Sequence, residues 1–325
     1  MKIGKNDKVA CLGAGVIGGS WAICFAMNGH KTALYDINDD ILKVAMERAR
    51  NNLEFLKEKG LMSEEQVQET LDRITATTDI SQAVSDVKFI QESGPEKYEL
   101  KQKIMEAVDD CAPADAVYAS STSGLLITEI AKSSRFPGRC VGGHPYNPPH
   151  LMPLVEITKG EKTGDEAVKT AYDFYKQLGK EPIILHKETL GFIANRLQIA
   201  LAREAINLVL NGVCSVEDVD KAVTFGPGLR WAVMGPNLLQ HLAGGAGGFK
   251  ASHQHLRYSG ELWLEDMATW TKFPEEWTEV GQEGVYKEME NRAPEFGRTE
   301  EELLRFRDDM LLKLLSMHGK LKEIE

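Results

Sequence analysis

Short apolar runs alternate with stretches of helical periodicity through the first half of the chain. Val9–Leu12, Thr32–Tyr35, Val87–Gln91, Ala116–Ala119, Cys140–Gly143, Leu154–Thr158 and Ile183–Leu185 have the length and composition of strands. Between most of them lie predicted helices at 16–28, 40–59, 99–111 and 166–178. Strands alternating with helices imply a mostly parallel sheet covered on both faces, hence the α/β class with a doubly wound sheet. After Lys187 the pattern changes. Residues 191–211 read as one long helix, strand signals stop, and 299–321 read as helix. This divides the chain into an α/β domain at 1–187 and a mainly helical C-terminal domain at 188–325. The cluster Gly244-Gly245-Ala246-Gly247-Gly248 reads as a mobile loop.

Composition narrows the function. The 325 residues are enough for two domains. Lys plus Arg is 38 and Asp plus Glu is 49, a formal charge of −11, which repels nucleic acid and anionic membranes. Neither is expected as a partner. No apolar stretch approaches the roughly 20 residues of a membrane span, and the polar start of the chain is unlike a secretory leader. The five cysteines are scattered, with no CxxC pair, which fits a reducing cytoplasm.

The first chemical signal is Gly13-Ala14-Gly15-Val16-Ile17-Gly18, which follows one predicted strand and opens a helix. Glycines at that spacing permit a tight turn, close backbone approach to a pyrophosphate, and helix packing on the strand. Asp36 ends the next strand, 18 residues after Gly18, where a carboxylate binds ribose hydroxyls and repels a 2′-phosphate. The expected fold is therefore Rossmann-type, with NAD as cofactor.

Four further segments set polar residues at strand ends or helix starts. These are Ser120–Gly124, His144-Pro145-Tyr146-Asn147-Pro148-Pro149, Glu156 within Leu154–Ile157, and Asn195 in Gly191–Arg196. Alcohol oxidation needs a base for the hydroxyl proton, and histidine titrates near neutrality. A buried carboxylate such as Glu156 would orient it, while Ser123 and Asn195 could hydrogen-bond the reacting oxygen. Each also has a structural reading. The histidine could cap a strand, the glutamate pair with a surface cation, and the asparagine bind backbone.

Taken with Gly13–Gly18 and Met234-Gly235-Pro236, these segments resemble the 3-hydroxyacyl-CoA dehydrogenase family over nearly the whole of the first 236 residues. The resemblance implies an NAD-dependent oxidoreductase acting on a 3-hydroxyl. It implies His144 and Glu156, twelve residues later, as the catalytic pair, with Ser123 and Asn195 beside them. It also implies Glu92 and Lys97 next to the nicotinamide ribose, and a homodimer formed through the helical domain. Three features depart from the CoA-using members. These are His144-Pro145-Tyr146-Asn147-Pro148, the run Gly228-Leu229-Arg230-Trp231-Ala232, and the missing terminal Gly-Phe-Tyr motif. They resemble the L-carnitine dehydrogenase and L-gulonate 3-dehydrogenase (lambda-crystallin) branch.

A small 3-hydroxy acid is therefore the expected substrate, carnitine-like first and gulonate-like second. A hydroxyacyl-CoA is the alternative, and a catalytically idle structural or NAD-sensing protein is another. Arg230 could hold a carboxylate bidentately; it could equally be a structural ion pair. Trp231, Tyr146 and Asn147 complete the substrate candidates, aromatic faces being what a quaternary ammonium requires. His241, His253 and His255 lack the partners of a ligand set, and no metal is expected.

Overall fold

The computed structural model describes residues 2–5 and 7–321. The described residues divide into two compact units, one running to Asn195 and taking in 318–321, and one of residues 196–317.

In the first unit β1 (Val9–Leu12) leads into α1 (Val16–Met27), β2 (Thr32–Tyr35), α2 (Asp39–Glu58), α3 (Glu64–Asp72) and β3 (Ile74–Thr77). Then come α4 (Ile80–Val84), β4 (Phe89–Glu92), α5 (Tyr98–Cys111), β5 (Val117–Ser120) and α6 (Ile127–Ile130). β6 (Cys140–Pro145), β7 (Leu154–Lys159), α7 (Asp165–Gln177) and β8 (Glu181–Ile184) complete it. The strands form one sheet in the order β3-β2-β1-β4-β5-β6-β7-β8. Every neighbouring pair is parallel except β6 and β7, which run antiparallel. The order reverses between β1 and β4, the switch point where open α/β sheets bind ligands. This is the doubly wound architecture expected from the sequence.

The central strands β1, β4 and β5 are buried at every position, because helices cover both faces. One covering core stacks Trp21 on Phe25 of α1, ring centroids 5.3 Å apart, with Phe89, Phe174 and Tyr175 around them. The opposite face packs Ala10, Leu12, Ile90 and Tyr118 against Met105 and Val108 of α5.

The second unit is helical: α8 (Ala194–Leu210, beginning in the first unit), α9 (Val216–Phe225), α10 (Pro227–Trp231), α11 (Pro236–Ala243), α12 (Gly248–Asp266), α13 (Trp277–Asn291) and α14 (Glu300–Met317). Three expectations change. The long helix begins at Ala194, because Gly191 and Phe192 take positive φ of 73° and 50° and turn the chain first. The glycine cluster forms a short 3-10 turn, Gly245–Gly247, between α11 and α12. A Cβ on Gly244 would lie 1.8 Å from the Gly248 carbonyl oxygen, so close packing explains that glycine. Finally, the tail from His318 joins the first unit, where Lys320 pairs with Glu181. Among the described residues no helix is long and apolar enough to cross a membrane.

Candidate active site

The glycine turn sits at the switch point, between the C-terminal end of β1 and the start of α1. Gly13 has φ 94°, and a Cβ there would meet the Ser93 carbonyl oxygen at 2.7 Å. A Cβ on Gly18 would lie 1.8 Å from the Gly13 carbonyl oxygen. Gly15 differs: nothing lies within 4 Å of where its Cβ would be. It caps α1 without a side-chain hydrogen bond, so the first-turn N–H groups, which include those of Val16 and Ile17, face that open side as anion donors. Asp36 Oδ2 accepts the Ala14 N–H at 2.7 Å and Oδ1 the Ile37 N–H at 2.8 Å. The carboxylate is thereby fixed beside the turn. Open space at Gly15, unused donors and a placed carboxylate together fit a dinucleotide.

The other site residues come from the adjoining strand ends. β6 and β7 pair antiparallel with His144 opposite Glu156. Directly opposed residues put their side chains on one face, and this register accounts for the twelve-residue spacing. His144 lies inside β6, one residue from its end, and not after the strand. Glu156 Oε2 is 2.8 Å from His144 Nδ1. Glu156 Oε1 accepts the N–H groups of Ile193 at 2.9 Å and Ala194 at 3.1 Å, at the start of α8. The carboxylate is wholly buried. Burial acts to raise its pKa, but the bonds from His144, Ala194 and Ile193 outweigh it and hold the carboxyl below its ordinary range. Glu156 is therefore ionised at neutral pH and can only accept hydrogen bonds, so Nδ1 carries the His144 proton and Nε2 is the basic nitrogen. Phe192 and Tyr146 stand edge-on to the imidazole at 5.5 and 6.0 Å. Asn147 is exposed just beyond Tyr146.

Ser123 lies in the loop after β5. Asn195 donates its side-chain amide to the Ser123 carbonyl oxygen at 2.7 Å, so these two residues meet. Glu92 and Lys97 do not. Glu92 is buried and bound by Lys101 Nζ at 2.9 Å, Ser120 Oγ at 2.6 Å and the Gly94 N–H at 2.6 Å, whereas Lys97 is exposed at the N-cap of α5. Arg230 and Trp231 are exposed on α10, and the Arg230 guanidinium has no ion-pair partner among the described residues. Sequence reasoning missed Lys101, Glu96, Thr122 and Phe192. Only Lys101 left a trace: with Met105 and Val108 it lies on the buried stripe of α5 at i, i+4, i+7 spacing, where a lysine needs a partner.

Residues 8–189 match the family described as 3-hydroxyacyl-CoA dehydrogenase, NAD binding domain, and residues 191–288 match its C-terminal domain. The chain belongs to the 3-hydroxyacyl-CoA dehydrogenase family. It is an NAD-dependent oxidoreductase of that family. Several relatives at 35–45% identity are L-carnitine dehydrogenases. That of Streptomyces coelicolor is 45% identical over 76% of this chain and 77% of its own length. A 3-hydroxyacyl-CoA dehydrogenase of Gibberella moniliformis is 37% identical over 96% of this chain and 95% of its own. Among solved structures, 5-formyl-3-hydroxy-2-methylpyridine 4-carboxylic acid 5-dehydrogenase, an NAD-dependent dismutase, superposes with TM-score 0.80 at 27% identity, covering 97% of this chain and 98% of that one.

Proposed function

We propose that this family member oxidises the 3-hydroxyl of a small 3-hydroxy acid, L-carnitine or a close analogue, to the 3-keto acid, with His144 as base and Glu156 as its orienting carboxylate. The carrying observation is the buried His144–Glu156 pair, whose geometry leaves Nε2 as the proton acceptor. NAD, when bound, would supply the hydride acceptor for the carbinol carbon. His144 Nε2 takes the hydroxyl proton as the carbonyl forms, and Glu156 stabilises the imidazolium until water removes the proton. Ser123 and Asn195 position the reacting oxygen. Gly13, Gly15, Val16, Ile17 and Gly18 cradle the pyrophosphate, and Asp36 takes the adenosine ribose hydroxyls. Glu92 acts from beneath, by fixing the loop after β4 through Lys101, and Lys97 stands at that loop's exposed end.

The substrate reading is supported by the carnitine-oxidising relatives and by Arg230, a guanidinium with no ion-pair partner that can bind a carboxylate bidentately. Leu197, Phe225 and Trp263 of the helical unit are 64%, 75% and 62% exposed. Apolar surface on that scale supports a homodimer formed through this unit. A 3-hydroxyacyl-CoA is the second reading, supported by the Gibberella relative. NADH formation with L-carnitine, L-gulonate and 3-hydroxybutyryl-CoA side by side separates them. Turnover of the thioester alone would overturn the free-acid assignment.

A further inference from the structure

Gln91 lies inside β4, opposite Cys11 of β1 and Ala119 of β5, and is wholly buried. Its amide is paired at both ends. Nε2 donates to the Gly143 carbonyl oxygen at 3.1 Å and to Ser121 Oγ at 2.8 Å, while Oε1 accepts the Tyr175 hydroxyl of α7 at 2.7 Å. A carbonyl can only accept, so the Gly143 contact settles which end of the amide is the NH2 group. Burying an amide costs free energy unless it is hydrogen-bonded, and here both NH2 hydrogens have acceptors.

Small residues make room for this network. A Cβ on Gly143 would lie 2.1 Å from the Tyr175 hydroxyl oxygen and 3.1 Å from Ala119 Cβ, so only glycine fits there. The pairing of β5 with β6 ends at Ser120 opposite Gly142. The next peptide of β6 joins Gly143 to His144 and lies beyond that ladder. A peptide unit is planar, so a bond to the Gly143 carbonyl also holds the His144 nitrogen and Cα, from which the side chain springs. The imidazole itself is held by Glu156 at Nδ1. His144 thus has two separate restraints, one on its backbone reaching from β4 and one on its ring reaching from β7.

We infer that Gln91 is a positioning residue for His144, fixing the Gly143–His144 peptide through its side-chain NH2 group. This rests on the reading of His144 as the base. Gln91 is wholly buried and touches no reacting atom, so its loss should lower kcat. The KM for NAD should stay, because Asp36 and the glycine turn are held by bonds of their own. Gln91→Met keeps the length of the side chain and removes its donors. It also strands the buried Tyr175 hydroxyl, which lowers stability. Tyr175→Phe removes that hydroxyl and leaves the amide both of its donor bonds, so kcat should survive. In the double variant no hydroxyl is stranded at 175, so it should melt above Q91M. Its kcat should nevertheless remain low, because the peptide restraint is still missing. A purely structural glutamine would give the opposite result, activity returning with stability.

The experiment is steady-state kinetics of Q91M, Y175F, Q91M/Y175F, H144A and Q91M/H144A, with melting curves. The expected result is a kcat loss of about ten-fold or more in Q91M and Q91M/Y175F, consistent with the sensitivity of catalysis to misplacement on the order of 1 Å. The kcat of Y175F, and the KM for NAD throughout, should stay within about three-fold of wild type. Q91M should add nothing to H144A, since Gln91 acts through that base. If H144A is impaired while Q91M is silent, or the two losses multiply in Q91M/H144A, the positioning role is wrong and the base assignment stands. Recovery of kcat in Q91M/Y175F, or a Y175F loss equal to that of Q91M, would trace the effect to core stability and would also overturn it. H144A at the wild-type kcat would instead remove His144 as the base, and the role of Gln91 with it.

Discussion

Replacing Glu156 by glutamine tests the orienting role most directly, because the structure dictates what the amide must do. In one orientation the amide oxygen keeps the Ile193 and Ala194 N–H groups, and the NH2 group faces His144 Nδ1. Nδ1 must then accept, the proton moves to Nε2, and the base is lost. In the other orientation the oxygen faces His144, and the NH2 group confronts the part-buried N–H groups of Ile193 and Ala194, at positions now 2.9 and 3.1 Å from Oε1. Stranding a buried donor costs about 1–3 kcal/mol; these two are part-buried, so the low end applies to each, and together they disfavour this orientation by about 2 kcal/mol. At about 1.36 kcal/mol per factor of ten, the catalytically competent tautomer falls to about one part in 30.

kcat should fall by that factor, with NAD affinity unchanged, since the dinucleotide turn lies on other strands. The assay is kcat in the oxidative direction with the active hydroxy acid, alongside NAD titration by fluorescence. A variant within about three-fold of wild type would refute the tautomer argument, because no placement of a glutamine satisfies all three donors. The same carboxyl contributes to stability with a definite sign. Its folded pKa is depressed, so its contribution is complete above the ordinary value of 4.5 and is lost as pH falls through the lowered folded value. Acid unfolding of the wild type should show that loss, and the glutamine variant should lack it.

His144→Ala should lower kcat by about 10²–10⁴-fold while leaving NAD binding intact, and a variant within a few-fold of wild type would exclude His144 as the base. Asp36 should confer NAD preference, and a kinetic preference of the wild type for NADP would remove that assignment. Burial first, then the neighbouring Asp220, raises the Glu288 carboxyl to about 6. Ionising it opposes folding, not at all below about pH 4.5 and fully above 6, so Glu288→Gln should stabilise the protein by about 1–2 kcal/mol at pH 7 and not at pH 4. Equal melting shifts at the two pH values would contradict this. Arg230→Lys keeps the charge but loses the planar fork, so KM for the acid should rise far more than kcat falls; an unchanged KM removes Arg230 from the site.

The sheet was legible where strands are buried on both sides. Val9–Leu12 and Thr32–Tyr35 were read with the bounds the structure shows. β3 was not read. Ile-Thr-Ala-Thr lies at the sheet edge with only Ile74 buried, so it carries no apolar run. α3 was overlooked although its start was written in the chain. Ser63 and Gln66 form a reciprocal capping box ahead of Val67, Thr70 and Leu71, the buried residues of that helix. A short helix with a single apolar turn is weak in any periodicity scan, and here the cap was the stronger signal.

The site was legible in its residue types and much less so in its wiring. His144 and Glu156 stood out because each is polar within an apolar run, but composition could not choose between an imidazole with a partner and a strand cap. The antiparallel register makes that choice: residues 144 and 156 face one another only because β6 turns back on β7 where the other strands run parallel. The partners of Glu92 show the converse. A glutamate ending one strand and a lysine one turn into the next helix look like two solvated charges. They meet because α5 packs its Lys101 stripe onto the sheet, so that the ammonium is buried against Glu92. Pairings of this kind depend on which face a helix buries. For Lys101 the buried face was readable from Met105 and Val108, and a cation on such a face implies an anion at the end of the neighbouring strand. That inference leads from one buried lysine to its partner Glu92.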